Sequence, residues 1–308
     1  MRLLVIGAGS TGGYLGGRLA LAGRDVTFLV RPARAEKLRE AGLRIVSPRG
    51  DATVRPKLVT VGKIDGPYDV VLLTVKGYQL DTAIEDMAPA IGPETMILPV
   101  LNGMRHMDIL GKRFSPHNLI GCALKVATVL GDDGRIIQLT PMQDIVYGEW
   151  DGTTSPRIEK LHEFISASGF DARISPHIQR EMWEKWILLA GVGGITCLMR
   201  GTIGQIEATP NGAGFASQFL DEVVAVVRAA GTSPTDAFVA SARQQVTAKG
   251  SPLASSMYRD LQASRPVEVE QIIGDLWRLS QKAGVATPLI GAAYAHLSVY
   301  QNGLTKSS

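Results

Sequence analysis

Gly7-Ala8-Gly9-Ser10-Thr11-Gly12, close to the start of the chain, has the spacing of a loop that wraps a pyrophosphate. A lone Gly-x-Gly-x-x-Gly is weak evidence, and its neighbours decide its meaning. Here an apolar run, Leu3 to Ile6, precedes it, and Tyr14-Leu15, Leu19 and Leu21-Ala22 follow at helical spacing. In a strand–loop–helix, Gly7 permits the tight turn, Gly9 lets the backbone approach the anion, and Gly12 allows close helix–strand packing. The N–H groups opening the helix then face the phosphates. The pattern predicts a dinucleotide site.

Asp25 to Arg31 reads as the second parallel strand, and its end is where such a fold meets the adenine ribose. An acidic residue there would favour NAD through the 2′-hydroxyl. This chain has Arg31, with Arg34 following, and a planar guanidinium suits a 2′-phosphate, so NADP(H) is the expected cofactor. Tyr68 to Lys76 is a further buried strand that delivers Lys76 to the ligand-binding edge. Met96 to Leu101 ends in Asn102-Gly103, which reads equally as an amide donor near the nicotinamide or as simple turn chemistry. His106 is considered as a general acid, although a lone histidine in a polar segment is more often bland.

The elements that must position these residues change character along the chain. Strand signals run to about residue 175, those from 119 to 149 being expected to extend and close the N-terminal sheet. Helical periodicity takes over beyond Pro176, at 178–198, 211–230, 234–248, 266–283 and 288–302. The expectation is an α/β Rossmann-type dinucleotide-binding domain over 1–175 and an all-α domain over 176–308 that holds and protonates the substrate. Its first helix carries Trp183-Glu184-Lys185-Trp186. Ser255-Ser256-Met257 and Arg265-Pro266-Val267-Glu268 follow later. From spacing alone, Pro266 opens a helix and Glu268 sits in its first turn, favoured by the dipole.

With 308 residues, the chain is long enough for two domains. A net charge of +3 is too small to argue for nucleic acid or membrane binding. Cys122 and Cys197 lack metal-ligand spacing and read as reduced and buried, and no metal is expected. No apolar run reaches about 18 residues. The reading is a cytoplasmic protein with a small-molecule substrate, a monomer or homodimer.

The ordered set Gly7-x-Gly9-x-x-Gly12, Arg31, Lys76, Asn102-Gly103, Trp183-Glu184-Lys185, Ser255-Ser256-Met257-x-x-Asp260 and Arg265-x-x-Glu268 resembles the ketopantoate reductase (2-dehydropantoate 2-reductase) family over nearly the whole chain. The resemblance implies NADPH-dependent reduction of a 2-keto acid, 2-dehydropantoate to pantoate being the family reaction. Carried over, it implies that Gly7 to Gly12 hold the pyrophosphate and Arg31 the 2′-phosphate. Lys76 and Asn102 lie on the nicotinamide side, with Asn102 also reaching substrate. Lys185 is the acid that protonates the carbonyl oxygen, Ser256 binds the carboxylate, and Glu268 orients ribose and substrate.

Departures from the family pattern redirect the substrate. Asparagines commonly stand four and eight residues after the catalytic lysine, where this chain has Leu189 and Gly193. Ile273-Gly274 replaces the usual Asn-Gly. Two amides have become an apolar side chain and a space, which points to a bulkier or more apolar 2-keto acid. A non-catalytic NADP(H)-binding sensor is the reading from a different class.

Overall fold

The computed structural model describes residues 1–306. The chain divides into two units, one of Met1–Leu101 with His106–Gln179 and one of Asn102–Arg105 with Arg180–Ser308. The later division, between Gln179 and Arg180, falls just inside a helix. Ile178 packs against Gly148, and Gln179 donates to the Trp150 carbonyl, so the first turn of that helix stays with the N-terminal sheets.

The first unit runs β1 (Arg2–Ile6), α1 (Ser10–Leu21), β2 (Asp25–Leu29), α2 (Pro32–Ala41), β3 (Leu43–Val46), β4 (Ala52–Val54), β5 (Lys57–Val59), β6 (Val70–Leu73), α3 (Leu80–Met87) and β7 (Met96–Pro99). Then come α4 (Arg105–Arg113), whose first residue belongs to the other unit, β8 (Ile120–Leu130), β9 (Ile136–Glu149), α5 (Pro156–Ser166) and β10 (Asp171–Ile174). One sheet has the order β5-β2-β1-β6-β7, with every pair parallel. At its centre, Leu3–Ile6 of β1 and Val70–Leu73 of β6 are continuous buried runs of Leu, Val and Ile, as a sheet covered on both faces requires. β5 has no clear signal in the sequence, because three residues are too few to show a period.

Residues 119–149 do not extend that sheet. They form the centre of a second one, ordered β10-β9-β3-β4 with β8 paired to β9. β8 and β9 close on each other as an antiparallel hairpin. β9 then takes β3 alongside Ile136–Ile137 and β10 alongside Asp144–Tyr147. Among the described residues, an isolated parallel bridge joins Ile97 of β7 to Leu119, the residue ahead of β8. Pro141 does not break β9, because residues 139–142 bulge out opposite Ala127, where no ladder N–H is needed.

α1 lies between the sheets, which explains its glycines. A Cβ at Gly16 would stand 2.6 Å from the Phe28 ring of the first sheet. One at Gly17 would stand 2.8 Å from Leu43 and Ile45 of the second. Side chains there would push the sheets apart.

The second unit is helical: α6 (Ile178–Met199), α7 (Ile203–Glu207), α8 (Gly212–Ala229), α9 (Asp236–Val246), α10 (Ser256–Gln262), α11 (Asp275–Ala283) and α12 (Pro288–Lys306). α7 and α10 are too short to leave a periodic signal. A π turn, Glu270–Gly274, leads directly into α11. Residues 265–268 are not helical, so Pro266 does not open a helix and Glu268 lies just ahead of one.

α6 is long and apolar enough to cross a membrane by length and composition, although Glu184 and Lys185 interrupt its apolar run, and 61% of its most apolar window is buried inside the structure. Gly194 meets the Phe219 ring of α8, and Thr196 is fully buried, both features of a core helix.

Candidate active-site residues

β1 delivers the chain into a turn at Gly7, whose φ of +93° is a conformation glycine adopts freely. Gly9 caps α1 without a side-chain hydrogen bond, and the first helical turn carries no acid. The opening N–H groups are therefore not screened by a local carboxylate. A Cβ on Gly12 would overlap the Thr74 hydroxyl and the Gly7 carbonyl, whereas one on Gly9 would meet nothing within 4 Å. Gly12 serves packing, and Gly9 leaves the space in which a diphosphate can lie.

Thr74, which the sequence reading passed over, holds this arrangement by donating to the Ile6 carbonyl at 2.9 Å. β1 continues to β2 on one side, and β6 lies on the other. The loops after β1 and β6 thus flank the reversal of strand order where such sheets bind ligands. Lys76 stands on that edge, partly buried. The loop fits the diphosphate of a dinucleotide.

Arg31 is exposed at the end of β2, as the residue before α2. Arg34 is partly buried and donates to the Ala8 carbonyl at 3.2 Å, and burial lowers its pKa. Two guanidinium groups therefore follow β2, one in solvent and one braced on the glycine loop.

In the second unit, residues 102–105 run along the π turn. The Asn102 amide donates to the Glu268 carboxylate at 3.4 Å. Gly103 has φ +82°, and a Cβ there would lie 2.5 Å from the Gln271 carbonyl. Arg105 stands 3.6 Å from Asp275. Asn102 is thus more than a turn residue, and Gly103 is required by close approach as well as by backbone angle. His106 is buried on α4, at 4% exposure.

Lys185 is partly buried on α6. Its neighbours have structural work: Glu184 accepts from the N–H and hydroxyl of Thr235 ahead of α9, and Trp183 packs on Trp186. The Trp186 indole donates to the Ile272 carbonyl at 3.0 Å. On α10, Ser255 caps the helix and meets Thr196 of α6 at 3.1 Å, which leaves the Ser256 side chain exposed. A Cβ at Gly193 would lie 3.0 Å from the Met257 methyl and 3.9 Å from Ile272. The space that Gly193 leaves is closed by Met257, so the wall along α6 beyond Lys185 is apolar.

Among the described residues no group of three or more His, Cys, Asp or Glu side chains is placed to hold a metal. Cys122 and Cys197 are buried and not disulfide-bonded, and burial pushes the Cys197 thiol up to about 12.

The model of the family described as ketopantoate reductase PanE/ApbA matches residues 3–152, and that of its C-terminal part matches residues 177–301. The chain belongs to the ketopantoate reductase family. That makes it an oxidoreductase acting on a hydroxy or keto group, in a family that binds a dinucleotide. It is 36% identical over 301 residues to the uncharacterized oxidoreductase YkpB of Bacillus subtilis (strain 168), covering 98% of this chain and 99% of that one. It is 28% identical over 295 residues to 2-dehydropantoate 2-reductase of Halobacterium salinarum, covering 94% and 95%. Among solved structures, 2-dehydropantoate 2-reductase from Geobacter metallireducens superposes with a TM-score of 0.87 at 26% identity, over 97% of this chain and 99% of that one. D-mandelate dehydrogenase with NADH and anilino(oxo)acetate, at 20% identity and TM-score 0.88 over 99% and 100%, shares the fold.

Proposed function

We propose that this family member is a cytoplasmic enzyme that reduces a 2-keto acid to the 2-hydroxy acid with NADPH. The observation that carries the reading is the hydrogen bond from Asn102 to Glu268. It joins two residues 166 positions apart, which the resemblance to the family places in one site. Bound NADPH supplies the hydride. The turn from Gly7 through Ala8, Gly9, Ser10 and Thr11 to Gly12 cradles its diphosphate, and Arg31 takes the 2′-phosphate with its donor fork. Lys76, Asn102 and Glu268 position the nicotinamide end, Asn102 also reaching substrate.

Reduction builds negative charge on the substrate carbonyl oxygen. The Lys185 ammonium stabilises that charge and donates the proton. Ser256 hydrogen-bonds the substrate carboxylate.

The substrate is more apolar than ketopantoate in this reading. The supporting observation is the Met257 methyl in the space beside Gly193, with Leu189 on the same helix. Amides in those places would bind a polar group, and this wall has none to offer it.

Steady-state reduction of a panel of 2-keto acids, with NADPH and NADH compared, tests the proposal. Lys185→Ala should lower kcat by about 10²–10⁴-fold with NADPH affinity within a few fold. Arg31→Ala should weaken NADPH and spare NADH. Binding of NADPH without reduction of any keto acid would support the sensor reading instead, and ketopantoate as by far the best substrate would remove the apolar preference.

A further inference from the structure

α10 carries a second polar side chain three residues after Ser256. Residues at that spacing lie on one face of a helix. Arg259 is partly buried there, and its Nη1 donates to the carbonyl of Ala254, two residues ahead of Ser256. The guanidinium is therefore turned back toward the end of α10 where Ser256 sits.

A guanidinium has five N–H donors in a fixed fork, and that carbonyl accepts from one of its nitrogens. Among the described residues Arg259 forms no ion pair. The adjacent carboxylate, Asp260, stands 3.0 Å from Arg265. Burial lowers the Arg259 pKa, and Asp260 offsets that only in part. Holding a cation partly out of water with its charge only partly compensated is costly, and a bound anion would relieve the cost.

We propose that Arg259, together with Ser256, seats the carboxylate of the substrate, an inference that rests on the reading of this chain as a 2-keto acid reductase. The fork offers paired N–H donors to the two carboxylate oxygens, and the exposed Ser256 hydroxyl adds a third donor from the same face. Met257, between them in sequence, turns the other way toward Gly193. One short helix thus presents a charged seat for the acid end of the substrate and contributes an apolar wall for its remainder. Specificity for an acid comes from Arg259, and tolerance of its side chain comes from the Met257 side.

The test uses oxamate, an unreactive isostere of a small 2-keto acid, titrated calorimetrically into the full chain saturated with NADPH. Arg259→Met keeps much of the side-chain length and removes the charge, and it should weaken oxamate about 10- to 100-fold, the range of a charge-assisted hydrogen bond. Arg259→Lys should recover part of the loss. NADPH affinity should be unchanged in both. In turnover, the preference for a 2-keto acid over its matched 2-keto amide should collapse in Arg259→Met through KM, with little change in kcat. A purely structural arginine would lower Tm and leave the acid-to-amide ratio as it was.

Equal oxamate affinity in the parent and in Arg259→Met overturns the proposal even if keto-acid reduction stands. Oxamate binding that depends on Arg259, without reduction of any keto acid, keeps the seat and removes the reaction. No oxamate binding by the parent overturns the seat, and reduction of the panel then shows whether the reaction survives.

Discussion

The indole of Trp186 donates to the backbone carbonyl of Ile272 at 3.0 Å, and both residues are buried. Trp186 follows Lys185 on α6, and Ile272 lies in the π turn just after Glu268. The π turn is defined by an N–H from Asp275 that reaches back five residues to Glu270. The bond ties the helix carrying Lys185 to the segment carrying Glu268.

Trp186→Phe removes the donor and keeps most of the ring. It should destabilise the chain by about 0.5–1.5 kcal/mol, the net worth of one buried hydrogen bond. Urea unfolding measures that loss. Turnover should fall as well, because the turn that follows Glu268 loses its anchor to α6.

Gly103→Ala should be costly for two reasons at once. Its φ of +82° disfavours any L side chain, and a Cβ would press on the Gln271 carbonyl at 2.5 Å. The expected outcome is a loss of at least about 1 kcal/mol of stability, with weaker catalysis as Asn102 moves off Glu268. Unfolding curves and steady-state kinetics on the same preparation check both.

The Met257 side chain decides whether an amide can be restored beside Lys185. Gly193→Asn alone should be poorly tolerated, since its Cβ meets the Met257 methyl at 3.0 Å. Gly193→Asn combined with Met257→Ala should fold and shift relative kcat/KM toward hydroxyl-bearing keto acids such as ketopantoate. An unchanged substrate ranking in the double variant would remove this wall from the account of specificity.

Glu149 gives a pH dependence. Burial pushes its carboxyl up from the ordinary 4.5, but hydrogen bonds from Arg157 and Ser155 outweigh this and leave it lowered. Two of those bonds come from Arg157 at 2.6 and 2.7 Å. The unfolded chain therefore binds the proton more readily than the folded one. The stabilisation is present at neutral pH and disappears as pH falls below about 4.5 and through the lower folded-state value. Glu149→Gln should cost about 2 kcal/mol at pH 7 and flatten the acid limb of a Tm–pH curve.

Features that arise within a few residues were legible in the sequence. The glycine loop is contiguous, and the strand before it and helix after it have their own periods, so the strand–loop–helix could be read without knowing the sheet. The helical second unit was legible for the same reason, and so was the Arg31 position at a strand end. The tertiary structure alone settled which distant pieces meet. It split the strands into two sheets because β9 is long enough to pair with β8, β3 and β10. It put Asn102 on Glu268 and the Met257 methyl beside Gly193, and it paired Asp260 with Arg265. Local propensity carries no information about such meetings, because they depend on how side chains fill space between elements that are remote in the chain.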